Sequence, residues 1–448
     1  MGRVLPSMSV AAPPAGAAPA TIAGSAAPAA TERDDVVLLT SAQAGELLSA
    51  VLGAEGVDLS AWAVDRVHHR PGVGVTVGYT VRWRAGGRDG EEDLLATTAP
   101  LPPTDPSGDP RLGLTTVRAG RREVSVWRHP CDPALPGLAG ASDVGVLAPS
   151  LGHDPRDVRL ELITYRPLRR AVLRASTSTS TAYVKVVRPH TAAGLVERHG
   201  LLEAAGLPVP HATSLRPGVV ALAGLPGMSL TDALARDGAA SLDPSAVVAM
   251  LDRFPPALVD LPRRPSWSDR VEHHGDAAAA ALPVAADEAA SLAAQVRQLL
   301  GTCDPGPVVA THGDLHDQNL LVRGAAVVGL LDVDSAGPGY RVDDLACLLA
   351  HMSVLPVLDP TVHRHVPAAL ARWTARFDLG VDPVALRARA AAVTISLVAG
   401  ARNEDDPQWR DQAHRILAVA RTWTEDAWRV RGLSPPHPSR LILRRKPR

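Results

Sequence analysis

The hydrophobic periodicity of this chain changes once along its length, and this change limits the fold more than any other feature. Residues 157–187 contain three short runs of strand-like alternation, at 158–165, 171–175 and 182–187. Beyond about residue 240 the apolar residues recur at helical spacing. The helical segments are 244–260, 285–300, 340–354, 362–376, 383–400 and 408–430. One strand pair, 320–322 with 327–331, interrupts them. The pattern predicts an α+β fold: a β-rich lobe, then a mainly helical lobe with one embedded hairpin.

The N-terminal third carries a further α+β pattern. A helix is predicted at 41–53, and alternating strands at 73–83, 94–98 and 123–127 predict a small antiparallel sheet. At 448 residues the chain is long enough for two or three domains. The predicted organisation is an Ala/Pro-rich disordered tail (1–34), an α+β domain (35–155), a β-rich small lobe (156–228), a helical large lobe (229–432) and a basic tail (433–448).

Bulk composition excludes several classes of partner. The net charge of −1 supplies no global basic field, so neither nucleic acid nor an anionic membrane is an expected partner. Apolar runs fall short of the ~20 residues that cross a bilayer. Cys131, Cys303 and Cys347 are scattered and predict free thiols in a reducing cytoplasm. The oligomeric state is not specified by any of these features.

Lysine and asparagine are nearly absent, and each occurs once inside a strongly patterned segment. The only lysines are Lys185, in the strand 182–187, and Lys446, in the basic tail. The only asparagines are Asn319, beside the hairpin, and Asn403, in an acidic loop. Arginine and aspartate take the place of lysine and asparagine almost everywhere else. A primary ammonium at 185 and a neutral amide at 319 therefore indicate a chemical role for these two residues.

The hairpin region carries the residues that phosphoryl transfer requires. Asp314 and Asn319 are five residues apart, as in the catalytic loop of protein kinases, and Asp332 ends an apolar strand. The reaction needs an aligned acceptor hydroxyl and charge neutralised by Mg²⁺, which prefers hard oxygen ligands. We therefore expect Asp314 to be the base and Asn319 and Asp332 to bind the metal. The alternative is a polar loop in which Asp314 and Asn319 only cap turns.

Residues 312–319, His-Gly-Asp-Leu-His-Asp-Gln-Asn, resemble the signature loop of the aminoglycoside phosphotransferase and choline kinase family. The resemblance covers roughly 157–425 and includes Asp332 after the hairpin, the Asp-Leu-Ala at 344–346 and a hinge-like run at 225–230. It implies a two-lobed, protein-kinase-like fold that binds ATP between its lobes together with Mg²⁺. By the same resemblance, His312 joins Asp314 in the catalytic set by ordering the loop, with proton transfer as the alternative. Asp344 braces that loop, with metal binding as the alternative.

The resemblance also implies a set of phosphate contacts. Lys185 would hold the α- and β-phosphates of ATP, with Glu197 as its helix partner and Glu203 as the alternative. The phosphate turn of the family is rich in glycine and serine, whereas the corresponding residues 165–170 contain no glycine. Arg169 and Arg170 are candidates to contact the phosphates in its place; otherwise they are solvated.

These inferences predict a cytoplasmic ATP- and Mg²⁺-dependent kinase that phosphorylates a hydroxyl of a sugar, an aminoglycoside or an amino alcohol. The extension at 35–155 makes the chain similar to bacterial maltokinases. One alternative is a nucleotide-binding module that no longer turns over, which the glycine-free turn favours. A protein kinase is the less favoured alternative, because only 12 residues separate Asp332 from Asp344, with no activation segment between them.

Overall fold

The computed structural model describes residues 27–434 except 71, 102–112, 120 and 404–405. Most of the predicted N-terminal tail and nearly all of the predicted basic tail lie outside the described residues. The strands are β1 (Asp58–Arg70), β2 (Gly74–Ala85), β3 (Arg88–Thr97), β4 (Thr115–Ala119), β5 (Arg122–Arg128), β6 (Arg159–Arg166), β7 (Arg170–Ser176), β8 (Thr181–Val187), β9 (Ala212–Arg216), β10 (Val219–Ala223), β11 (Met228–Ser229), β12 (Val308–Thr311), β13 (Leu320–Arg323), β14 (Ala326–Leu330) and β15 (Gly337–Tyr340).

The helices are α1 (Ala27–Thr40), α2 (Ala42–Gly53), α3 (Leu138–Ser142), α4 (Val144–Ser150), α5 (Pro189–Ala204), α6 (Leu230–Asp237), α7 (Ser245–Leu251), α8 (Val271–Ala281), α9 (Ala286–Leu300), α10 (Arg341–Leu358), α11 (Val366–Phe377), α12 (Pro383–Gly400) and α13 (Trp409–Val430). Antiparallel sheets and many helices confirm the α+β class predicted from the sequence. The chain divides into two compact units, and the division falls within α5.

Among the described residues, the first unit contains 27–196 together with 211–224, and it is rich in strands. Its two antiparallel five-stranded sheets have the orders β1-β2-β3-β5-β4 and β6-β7-β8-β10-β9. Each sheet has its own apolar core: the first includes Leu48 and Tyr79, and the second includes Leu138 and Leu173. The predicted limits of a separate N-terminal domain and a small lobe stay a prediction.

The N-terminal part of this unit differs from the prediction in the start of its first helix and in two strands. Helix α1 begins at Ala27, so the predicted end of the tail at residue 34 lies inside a helix. Strand β1 was missed because most of its side chains are exposed, which removes the apolar alternation that marks a strand. Strand β4 is short and was also missed.

The second unit contains residues 197–210 and the chain from residue 225 onward, and it is mainly helical. Helices α10 and α12 pack at its centre and are buried along most of their lengths. The predicted hairpin is confirmed as β13–β14, and β11 extends it to three strands, while β12 pairs with β15. The predicted helix 244–260 is wrong in its second half: α7 ends at Leu251, because Pro255 and Pro256 do not continue a helix.

Among the residues that the structure describes, one helix is apolar and long enough to cross a membrane. Helix α12 has 18 residues, and 72% of them are buried within the protein, as in a core helix. A second candidate arises only if Glu32–Thr40 and Ala42–Gly53 are counted as one span, and a bend of 67° separates these helices.

Candidate functional site

The loop 312–319 connects β12 to β13 in the helical unit, and a buried carboxylate from α10 holds its start. Asp344 accepts hydrogen bonds from the backbone N–H groups of His312 and Gly313, both at 2.8 Å. Burial raises the pKa of Asp344, while His312 and these two N–H groups oppose the shift. The expectation that Asp344 braces the loop agrees with this geometry.

Gly313 can only be glycine in this conformation. Its φ of +79° lies in the left-handed region, and a Cβ atom there would lie 2.7 Å from the backbone oxygen of Ser335. Ser335 belongs to the short turn that follows Asp332. The close approach therefore presses the loop of Asp314 against the segment that carries Asp332.

His312 is a positioning group in this loop. Its Nε2 lies 2.9 Å from the carbonyl oxygen of Leu331, which can only accept, so Nε2 carries the proton. Its Nδ1 then accepts the N–H of Asp314 at 3.3 Å. Both ring nitrogens are therefore engaged with backbone groups, which suits the expectation that His312 orders the loop rather than transferring protons.

The Asp314 side chain is partly buried and electrostatically perturbed. Desolvation raises its pKa first of all, and the nearby carboxylate of Asp332 raises it further. His316, His312 and a hydrogen bond from the Trp267 indole act in the opposite direction. A carboxylate whose pKa is raised is a stronger base than an ordinary aspartate, which suits removal of a hydroxyl proton.

Asn319 and Asp332 are joined through their backbones. The amide of Asn319 donates to the backbone oxygen of Asp314 at 3.0 Å, so its side-chain oxygen is oriented as an acceptor. The N–H of Leu331 donates to the backbone oxygen of Asn319 at 2.8 Å, directly before Asp332. Asp332 has a left-handed backbone, with φ 53° and ψ 48°. An amide oxygen and a carboxylate are the hard ligands that Mg²⁺ prefers, so these residues fit that metal.

Lys185 and Glu197 belong to different units, and their pairing stays a prediction. Lys185 is a buried residue of β8, at the centre of its sheet, where it lies opposite Val172 and Val220. Glu197 is an exposed residue of α5, as is the alternative, Glu203.

The glycine-free turn between β6 and β7 is shaped by a buried carboxylate that precedes it. Leu168 has a φ of 61°, a conformation in which glycine is usual. Asp132 is fully buried, and it accepts hydrogen bonds from the N–H of Leu168 at 2.7 Å, the hydroxyl of Tyr165 at 2.8 Å and the N–H of Ala134 at 2.8 Å. These bonds compensate for the missing glycine.

Arginine side chains concentrate positive charge around this turn. Burial lowers the pKa of Arg169 to about 10, and Arg70, Arg166, Arg170 and Arg188 lower it further by repulsion. Arg188 also donates to the backbone oxygen of Leu168 at 3.0 Å. Such a cluster of guanidinium groups attracts polyanions. The contact of Arg169 and Arg170 with phosphates stays a prediction.

Several functional candidates escaped sequence reasoning. Trp267 and Arg270 act electrostatically on Asp314 from a segment with no clear periodicity. His316, Asp317 and His351 bring three ligand atoms within 4.8 Å of one another, a geometry that could hold a metal ion. The His316 and His351 rings are stacked at 4.7 Å, and Asp317 accepts a short hydrogen bond from Thr231. The motif around residue 316 was visible in the sequence, but its partner lies 35 residues away on α10.

Comparison with known proteins identifies one family. Residues 167–377 match the model of the phosphotransferase enzyme family, and this match includes the loop 312–319 and Asp332. No curated protein matches the chain in sequence.

Solved structures show distant similarity. A choline kinase from Cryptosporidium parvum has 11% identity and a TM-score of 0.44, covering 65% of this chain and 97% of its own. A thermostable aminoglycoside phosphotransferase APH(4)-Ia, bound to ADP and hygromycin B, has 12% identity and a TM-score of 0.43, covering 63% and 98%. The macrolide 2'-phosphotransferase MphH from Brachybacterium faecium has 19% identity and a TM-score of 0.34, covering 59% and 92%.

Proposed function

We propose that this chain, whose residues 167–377 match the phosphotransferase enzyme family, transfers the γ-phosphoryl group of ATP to a hydroxyl of a small molecule. The observation that carries the proposal is the anchored loop that holds Asp314 and Asn319 against the segment of Asp332. Sugars, aminoglycosides and amino alcohols are the acceptor classes that the sequence left open.

In this proposal each residue has one role. Asp314 accepts the proton of the acceptor hydroxyl, and its raised pKa increases its basicity. Asn319 and Asp332 would hold Mg²⁺, which when bound neutralises charge on the phosphates. Lys185, Arg169 and Arg170 would bind the phosphates of ATP, with Glu197 as the partner of Lys185. His312 and Asp344 position the loop.

The test separates binding of ATP from chemistry. We expect Asp314→Asn to lower turnover by about 10²- to 10⁴-fold, the usual contribution of a general base, while MgATP still raises the melting temperature. Asp304→Asn is the matched control, because this exposed aspartate lies ten residues upstream and its side chain accepts the N–H of Gly306. Wild-type turnover in Asp314→Asn would remove Asp314 from its proposed role.

A nucleotide-binding module without turnover is the second candidate, and the glycine-free turn favours it. The two candidates differ in one measurement. MgATP that stabilises the wild-type protein but is consumed with no acceptor from a panel of sugars, aminoglycosides and amino alcohols would support the module. Consumption that depends on an acceptor would support the enzyme.

We also propose that the protein works in the cytoplasm. Cys131, Cys303 and Cys347 form no disulfide in the structure, and Cys347 is buried beside the loop. Reduced cysteines are typical of a reducing compartment.

A further inference from the structure

A pocket in the helical unit opens beside Asp314. Its walls come from the segment 263–270, the start of the loop 312–319, the turn after Asp332 and the first turn of α10. Because Asp314 is the proposed base, a hydroxyl that reacts there belongs to a molecule seated in this pocket. The charge of the pocket lining therefore bears on the class of acceptor, and this reasoning rests on the proposed function.

The other carboxylates of the pocket are already engaged. Asp343 accepts from Arg389 at 3.0 Å and from Ser268 at 2.8 Å. Asp344 accepts the two N–H groups at the start of the loop. Asp269, at the rim, accepts from Arg263 at 2.7 Å. Among the described residues of the lining, Asp314 is therefore the one carboxylate left for a cationic acceptor, and the charge of Arg270 already acts on it.

Two guanidinium groups of the lining retain donor capacity. Arg264 donates to the Ser335 hydroxyl at 3.2 Å, while its buried Nε has no hydrogen-bond partner among the described residues. Arg270 lies 5.1 Å from the centre of the Trp267 ring, and its Nε makes only a long contact, 3.4 Å, with the backbone oxygen of Ser266. Burial lowers the pKa of Arg270, while the nearby carboxylates of Asp269 and Asp314 oppose the shift. Neither arginine forms an ion pair within hydrogen-bonding distance in the part of the chain that the structure describes.

We propose that the acceptor carries an anionic group, a carboxylate or a phosphate, which Arg264 and Arg270 bind while its hydroxyl faces Asp314. Planar guanidinium groups match both anions through paired N–H donors. The anion would satisfy the unpaired Nε of Arg264 and accept hydrogen bonds from the guanidinium of Arg270. Trp267 stacks on Arg270, and its indole also acts on the carboxylate of Asp314, so it links anion recognition to the base. Polyamine acceptors are disfavoured because the same two arginines would repel them.

Four sugars that share the glucose ring but differ in charge test this inference. They are neutral glucose, cationic glucosamine, and the two anionic hexoses glucuronate and glucose 6-phosphate. Binding to the wild-type protein is measured by titration calorimetry. We expect at least one of the two anionic hexoses to bind 10-fold or more tightly than glucose, and glucosamine to bind most weakly. Comparison of glucuronate with glucose 6-phosphate distinguishes a carboxylate from a phosphate. Four equal affinities, no detectable binding of either anionic hexose, or tightest binding of glucosamine would overturn the inference.

Variants assign the effect to individual residues. Arg264→Gln and Arg270→Gln should each weaken the anionic hexose about 10- to 100-fold, the usual effect of losing a charged hydrogen bond, and leave glucose unchanged. Arg297→Gln is the matched control, because Arg297 is exposed, paired with Glu272 and outside the pocket lining; it should change affinity less than 3-fold. Arg270→Lys keeps the charge and should restore part of the affinity. Equal weakening of glucose and the anion would show a structural role instead.

Failure of this inference and failure of the proposed function give different results. If the anionic hexose binds through Arg264 and Arg270 but no ATP is consumed, the phosphotransfer proposal fails and the anion pocket stands. If glucose or glucosamine is phosphorylated while the anionic hexoses are refused, the phosphotransfer proposal stands and the anionic acceptor is wrong.

Discussion

Removal of the Asp344 carboxylate should loosen the loop 312–319. In Asp344→Ala the N–H groups of His312 and Gly313, each bonded at 2.8 Å, lose their acceptor in a buried site. An unsatisfied buried donor costs about 1–3 kcal/mol, so the two together should lower the free energy of unfolding by about 2–6 kcal/mol. Asp344→Asn keeps one oxygen and avoids burying a charge, and we expect a loss of about 1–3 kcal/mol.

Two measurements check this expectation. Equilibrium denaturation by guanidinium reports the loss of stability, and hydrogen exchange followed by mass spectrometry reports protection of the peptide that contains residues 312 and 313. Asp411→Asn is the control, because Asp411 is an exposed acid in the first turn of α13, just as Asp344 is in the first turn of α10. Loss of the favourable interaction with the helix dipole should cost it only about 0.3–1 kcal/mol.

The order of destabilisation should be Asp344→Ala, then Asp344→Asn, then Asp411→Asn. Turnover should fall with both Asp344 variants, because the loop carries the proposed base. An Asp344→Ala protein as stable as Asp411→Asn, with unchanged exchange at residues 312 and 313, would refute the idea that Asp344 holds the loop.

Three further predictions follow from the same contacts. Gly313→Ala should lose at least about 1–2 kcal/mol of stability from its left-handed backbone, and more from the close approach to Ser335, with a parallel loss of turnover; unchanged melting and activity would contradict this. Asp132→Ala leaves three donors unsatisfied, so it should lower the free energy of unfolding by about 3 kcal/mol or more and raise the KM for ATP. Its control, Asp143→Ala, removes the N-cap of α4 and should lower the free energy of unfolding by about 1 kcal/mol without a change in KM. The third prediction concerns pH. Since the folded pKa of Asp314 is raised, the acid limb of kcat/KM should lie above the usual aspartate range near 4. Ionisation of Asp314 should also lower the stability as pH rises from the unfolded pKa of about 3.9 through the raised folded pKa. Asp314→Asn should therefore be more stable than the wild type at neutral pH, and this advantage should vanish in acid; a melting temperature below that of the wild type at neutral pH would contradict the prediction.

The sequence by itself determined the elements that depend on local pattern. The hairpin β13–β14 and helix α12 were predicted within a residue or two, because alternation and helical spacing report which side of a segment is buried. The loop was recognisable because Asp314 and Asn319 are only five residues apart, so the residues proposed for catalysis and metal binding lie within one short segment. An exposed strand such as β1 has no such signal and was missed.

Tertiary structure alone decided what surrounds those residues. The bond from His312 to Asp344 spans 32 residues and that from Leu168 to Asp132 spans 36, distances at which local periodicity carries no information. The position of Arg270 beside Trp267 and Asp314 likewise arises from packing of separate segments. Consecutive residues set the kind of chemistry available, whereas burial and contacts between distant segments set the pKa of the base and the charge that its pocket offers to an acceptor.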